Sequence, residues 1–270
     1  MRRQLSDRSA AGVFIVLVLA IAVTTAGVAG GLILALSPML VTVLLLVLTG
    51  EGRAGLARVG LSRSGIRQWP VAVGGSVAVS AVATALVVFL GYAAFTLPGS
   101  DFWANALVLA ITGPILAFTE EIGWRGYLLP RLSWLGERRA MLVVGVVWAA
   151  WHLPYILLTP YYHDEGNRWL TLPLFTGSVL AFSFFLGYLR LESGSVWPAV
   201  LAHFAHNWAF AVVTGIVTTT HPVVFGEYLA GDTGLFVLFG TALLACLLAR
   251  VHRRRTQAAG RMVPAVAGGY

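Results

Sequence analysis

The chain has 270 residues, of which 58% are hydrophobic and only 11% charged; its mean hydropathy is +0.83. Soluble domains lie near 45–50% apolar and about 25% charged, so this composition excludes an ordinary water-soluble domain. The formal net charge is +7, every basic side chain is Arg, and the arginines fall in short loops and tails. The positive-inside rule accounts for that placement, so no nucleic-acid partner is expected.

The apolar runs are about 17–25 residues long, the length of a membrane-spanning helix, and the ten-residue alternation of a β-barrel strand is absent. Residues 1–10 are polar and basic (Arg2, Arg3, Arg8). The apolar run 11–28 ends in small residues, as a signal peptide would, but a second run, 31–49, follows almost at once. A helical hairpin turning at Gly30-Gly31 is the better reading. Residues 50–68 carry Arg53, Arg58, Arg63 and Arg67 among apolar residues; a surface-lying amphipathic stretch and a solvated loop fit equally well. A third span covers about 70–96, with Gly74, Gly75, Ser76 and Ser80 suited to close helix packing. Asp101 is placed to cap the fourth span, 103–121. Residues 124–135 read as a short interfacial helix, and 140–158, 171–189, 197–217 and 233–250 as four more spans. Trp197-Pro198 puts proline in the first turn of the seventh span, where it is tolerated.

The expected architecture is therefore all-α, a polytopic helical membrane bundle of about eight spans around a polar intramembrane cavity. It forms one membrane domain over 1–256, with a disordered tail over 257–270. With the N-terminus inside, all arginines except Arg168 fall on one side, which predicts a multi-pass protein of the cytoplasmic membrane with both termini cytoplasmic. The lone Cys246 excludes an intramolecular disulfide and reads as a small core residue.

Charge at membrane depth costs about 2.5–3.5 kcal/mol per residue on insertion scales, so polar groups in spans need a reason. The fourth span delivers Glu120 and Glu121, followed by Arg125. Glu121 and Arg125 are four apart and share a helix face, which fits an ion pair with the Arg fork on the carboxylate. Glu120 points elsewhere and is left as a base for water. His152 lies in the fifth span within Trp148-Ala-Ala-Trp151-His152, and Trp148 and Trp151 are placed to wall a site. His203 and Asn207, four apart, face one way from the seventh span. His206 lies on another face as packing or support, and His163, His221 and His252 read as solvated. No Gly-x-Ser-x-Gly or His-Glu-x-x-His occurs.

Taken singly, each of these residues has a plain structural reading. Together they place an acid, two histidines and an amide on three spans, and embedded polar groups tend to find one another. Such a set suits attack of water on an amide, with imidazole and carboxamide donating to the developing oxyanion. The same set could ligate zinc, so hydrolysis does not depend on the absence of a metal.

These residues resemble the motifs of the CPBP family of membrane proteins, which includes type II CAAX prenyl endopeptidases and bacterial bacteriocin-processing and self-immunity proteins. The family's Glu-Glu-x-x-x-Arg looks like Glu120-Glu121-Ile-Gly-Trp-Arg125, its aromatic-x-x-x-His like Trp148 to His152, and its His-x-x-x-Asn like His203 to Asn207. The family's second motif usually begins with Phe, where this chain has Trp148. The resemblance covers about residues 103–210 and implies an eight-helix fold with a cavity opening toward the cytoplasmic leaflet. It implies metal-independent glutamic peptide hydrolysis, with Glu120 and His152 activating water, His203 and Asn207 stabilising the oxyanion, and Glu121 and Arg125 supporting the site. The expected substrate is a peptide or membrane protein, met at the lipid bilayer. A non-catalytic immunity or peptide-binding protein, and a proton-relay transporter, are the rival readings.

Overall fold

The computed structural model describes residues 5–262; Arg2, Arg3 and residues 263–270, the end of the expected tail, lie outside them. The chain is an all-α membrane bundle. Its helices are α1 (Asp7–Thr25), α2 (Leu32–Thr49), α3 (Gly52–Val59), α4 (Trp69–Phe89), α5 (Phe102–Glu121), α6 (Leu129–Arg131), α7 (Glu137–Leu158), α8 (Arg168–Ser193), α9 (Trp197–Thr214) and α10 (Leu235–Met262). Seven are long and apolar enough to cross a membrane among the described residues. The remaining expected span, the seventh, is α9, whose 18 residues include His203, His206 and Asn207. These polar side chains dilute its hydropathy, yet it packs in the middle of the bundle against α4, α5 and α8.

Local sequence explains most of the boundaries. The α1–α2 hairpin turns through Ala29, Gly30 and Gly31, all at positive φ, a region in which glycine carries no Cβ penalty. A Cβ on Gly31 would also lie 2.6 Å from the Tyr155 ring. Gly194 ends α8 in the left-handed conformation, its N–H donating to the Arg190 carbonyl. Asp101 precedes α5 but makes no capping bond to it; it instead accepts from the Ser100 hydroxyl at 3.1 Å. The third span stops at Phe89 rather than 96, because the chain turns into a two-residue antiparallel ladder, β1 (Ala94–Phe95) with β2 (Val217–Thr218). Helix α10 runs to Met262, so residues 257–262 of the expected tail are helical.

Two poles emerge. At the arginine pole, the Arg131 guanidinium donates to both Glu51 carboxylate oxygens at 2.6 and 2.8 Å and lies 3.4 Å over the Tyr127 ring. Arg190 donates to the carbonyls of Arg125 and Arg58, while His252 bonds Glu192 at 2.5 Å and Glu137 at 3.1 Å. His252 is therefore 8% exposed rather than solvated, because α10 carries it back between the ends of α7 and α8. Cys246 is exposed on the outer face of α10 and is not a core residue.

The expected interfacial helix at 124–135 is instead a buried plug. Ile122–Leu128 forms a π-helical turn, α6 follows, and Trp124, Arg125, Tyr127 and Leu128 are all 0% exposed. Phe14 stacks on Tyr127 at 5.2 Å and meets Trp124 edge-on at 5.8 Å. Gly123 and Gly126 let this turn press against α2 and α3, since a Cβ on either would run into Pro38 or Val59. Overpacking of this kind costs about 1–3 kcal/mol. Gly123→Ala is expected to lower the thermal midpoint in detergent by that amount, whereas Gly74→Ala, in open space on α4, leaves it unchanged or raises it.

At the opposite pole the 159–167 loop is clasped to a second π-helical turn, Val224–Leu229. His163, read as solvated, is 6% exposed and bonds Glu227 at 2.6 Å and Thr233 at 3.1 Å. Burial pulls the imidazole pKa down, but the Glu227 bond and the charges of Asp232 and Glu227 outweigh it, so the net shift is upward from 6.5. A raised folded pKa adds stability that is full below the unfolded value and fades as pH rises through the folded one. The stability gap between wild type and His163→Gln is therefore expected to be widest near pH ~6 and to close toward pH ~9, as read by thermal unfolding.

Candidate active site

Thr119 fixes the end of α5 by donating to the Ala35 carbonyl of α2 at 3.0 Å. The π-helical turn that follows carries Arg125 back toward Glu121. Their bond, Arg125 Nη1 to Glu121 Oε1, is 2.9 Å long, and both side chains are 0% exposed. The pair is single-point rather than the expected fork. His203 Nδ1 shares the same Glu121 oxygen at 3.0 Å, and the guanidinium is turned flat onto Trp148, 4.3 Å from its ring centre. Arg125 Nε and Nη2 and Glu121 Oε2 are buried with no hydrogen-bond partner among the described residues.

Trp148 is more than a wall. Its Nε1–H donates to Glu120 Oε2 at 2.9 Å, so Glu120 is held by one oxygen rather than left without a partner. Its carbonyl sits 2.9 Å from His152 Nδ1. A carbonyl can only accept, so Nδ1 carries the proton there and Nε2 of the neutral ring is an acceptor. The Trp148 ring meets His203 edge-on at 5.5 Å and stacks against Phe182 at 6.1 Å. His203 gives its Nδ1 proton to Glu121, so its Nε2 can donate only from the doubly protonated ring.

Glu120, His152, His203 and Asn207 all line one cavity of about 450 Å³. Glu121 and Arg125 lie behind its wall. Apolar walls come from Leu34, Phe175, Val179, Phe182 and Val237, with Trp148 and Trp151 between them. The cavity also reaches Gly30, Gly31, Tyr162, Asp232 and Thr233, from the pole opposite the arginines, and no residue of 50–68 or 121–147 lines it. The buried 122–131 plug lies at the arginine pole, outside this lining. His206, Tyr162 and Asp232 were not singled out by the sequence as members of this cavity. His206 carries the one available hint, a second imidazole in the His203–Asn207 stretch. Among the described residues no three His, Cys, Asp or Glu side chains converge so as to hold a metal ion.

Removing one partner of a buried ion pair leaves an uncompensated charge and costs about 3–5 kcal/mol. Arg125→Met is expected to lose that much stability in detergent melts, and the double variant Arg125→Met/Glu121→Gln to regain more than half of it.

The comparisons with known proteins fall on the same stretch. Residues 99–209 match the family model "Type II CAAX prenyl endopeptidase Rce1-like", which spans α5 to α9 and every residue of the three motifs. CAAX prenyl protease 2 of Methanococcus maripaludis is 32% identical over 99 residues, 34% of this chain and 36% of that protein. The match thus spans about a third of the relative's length. Through this segment, which carries the Glu120-Glu121, His152 and His203–Asn207 motifs on three packed helices, the chain is similar to the Rce1-like, type II CAAX prenyl endopeptidases.

Proposed function

We propose that the protein is a CAAX-type intramembrane endopeptidase that hydrolyses a peptide bond with side chains alone. The supporting observation is one cavity lined by Glu120, His152, His203 and Asn207, drawn from three helices and tied together by Trp148. A water molecule is held between the Glu120 oxygen not engaged by Trp148 and His152 Nε2. Glu120 takes one of its protons as the oxygen attacks the carbonyl carbon. The tetrahedral oxyanion accepts from the Asn207 carboxamide and from Nε2–H of His203, whose doubly protonated ring the Glu121 carboxylate supports. The carbon–nitrogen bond then breaks, and Glu120 returns the proton to the departing amine. Glu121 and Arg125 position His203 and Trp148 and touch no substrate.

The apolar walls suit a membrane-associated peptide or an apolar chain attached to one, and the exposed apolar residues around the bundle face lipid. Placement of the arginine-bearing loops supports the cytoplasmic membrane with both termini inside.

General-base catalysis contributes about 10²–10⁴-fold. Glu120→Gln is expected to lower peptide release from membranes by that factor, measured by mass spectrometry, while leaving the melting midpoint unchanged. Chelator is expected to have no effect; loss of products on chelation would move the mechanism to a metal. Identical peptide profiles for wild type and a stably inserted Glu120→Gln would replace the peptidase with a peptide-binding or immunity role.

A further inference from the structure

The cavity has a second polar region, away from Glu120, that the hydrolytic scheme does not use. Asp232 lines it, and its carboxylate Oδ2 accepts from the Tyr162 hydroxyl at 2.6 Å. The Asp232 backbone carbonyl lies 2.9 Å from His206 Nε2. That carbonyl fixes the imidazole: Nε2 carries the proton, so Nδ1 of the neutral ring is a lone-pair acceptor. His206 is 7% exposed and lines the cavity, and its Nδ1 has no partner among the described residues. Buried polar atoms are nearly always satisfied, so this orphaned acceptor marks the wall beside Asp232 as short of a donor.

The charge balance sharpens the class of donor. Glu120 and Asp232 put two carboxylates on the wall against the one imidazolium of His203, and no arginine lines it; Arg125 is taken up by Glu121 behind it. Asp232 keeps a side-chain exposure of 20%, and its Oδ1 lies 3.9 Å from Nε2 of His163, whose closer carboxylate partner is Glu227 at 2.6 Å. A hydrogen-bond donor carrying positive charge meets acceptors from Asp232 and His206 there, whereas a carboxylate or phosphate meets repulsion.

We infer that Asp232, His206 and Tyr162 form a subsite for a protonated amine carried by the peptide substrate. This rests on the peptidase reading and adds to it a register. The Tyr162 ring is 6.4 Å from the His152 ring, and Phe182 bridges His203 and His206 at 6.0 and 4.7 Å. The amine is therefore held within about three extended residues of the bond that is cut.

The test uses the full chain in lipid nanodiscs and a lysine scan through an apolar Leu/Ala decapeptide. Each lysine peptide is paired with its Nε-acetyl-lysine counterpart, which keeps the stem and removes the charge. One lysine register is expected to bind at least tenfold tighter than its acetylated twin in wild type. Asp232→Asn, which still accepts from Tyr162, is expected to cut that preference to within twofold; Asp232→Glu is expected to restore most of it. Equal binding of every pair, or an undiminished preference in Asp232→Asn, overturns the subsite. Binding needs no turnover, so the two readings separate. A lysine preference without cleavage keeps the subsite and removes the peptidase, and cleavage without a lysine preference does the reverse.

Discussion

A carboxylate at zero exposure inside a membrane bundle governs the arrangement of everything near it. Glu121 can stay ionised there only if its charge is answered at contact distance, and Arg125 and His203 both converge on one of its oxygens. Arg125 is in turn fixed by lying flat on Trp148. Trp148, held in that orientation, delivers its indole N–H to Glu120 and its carbonyl to His152. A chain of contacts thus runs from one buried charge to Glu120, His152 and His203 on the near wall of the cavity. Rigidity of this sort is what an active site needs, because donors preset to the reacting geometry do not have to reorganise during the reaction.

The two halves of the cavity differ in how they are built. The Glu120 side sits on long helices, α5, α7 and α9, whose backbones are internally satisfied and stiff. The Asp232 side sits on loops and a π-helical turn, tied by Tyr162, His163 and Glu227. Chemistry on helices and selection on loops is a common division, since loops change more readily without disturbing a scaffold.

Much of this could be read from the sequence, and the reason is period and cost. Apolar runs of spanning length give the helices, and the rarity of polar groups within them makes Glu120, His152, His203 and Asn207 conspicuous. Spacing by four gave the Glu121–Arg125 pair. What periodicity does not carry is which faces meet. Trp148 looks like any membrane tryptophan until its indole is seen to reach α5 from α7. The buried plug at 122–131 carries charges that read as interfacial, and only its contacts with Phe14, Pro38 and Val59 show it turned inward. Asp232, between glycine and threonine in a loop, has no local signal at all; its place depends on how α10 docks against α8 and α4. His163 and His252 failed for the same reason, since solvation was inferred from position in the chain and burial comes from packing across it.

The pairing of Arg125 with Glu121 within a single helical stretch bears on how the chain enters the membrane. The segment Phe102–Arg131 is long and apolar enough to insert as one unit, yet it carries four charged side chains. Glu121 and Arg125 can neutralise each other as soon as the turn between them forms, before any other helix arrives. Arg131 finds its carboxylate on Glu51, a residue that leaves the ribosome some eighty positions earlier. Only Glu120 then enters without a cationic partner, and its indole donor is made later. Biogenesis therefore presents the bilayer with one uncompensated charge instead of four, and the residue left uncompensated is the one placed on the cavity wall.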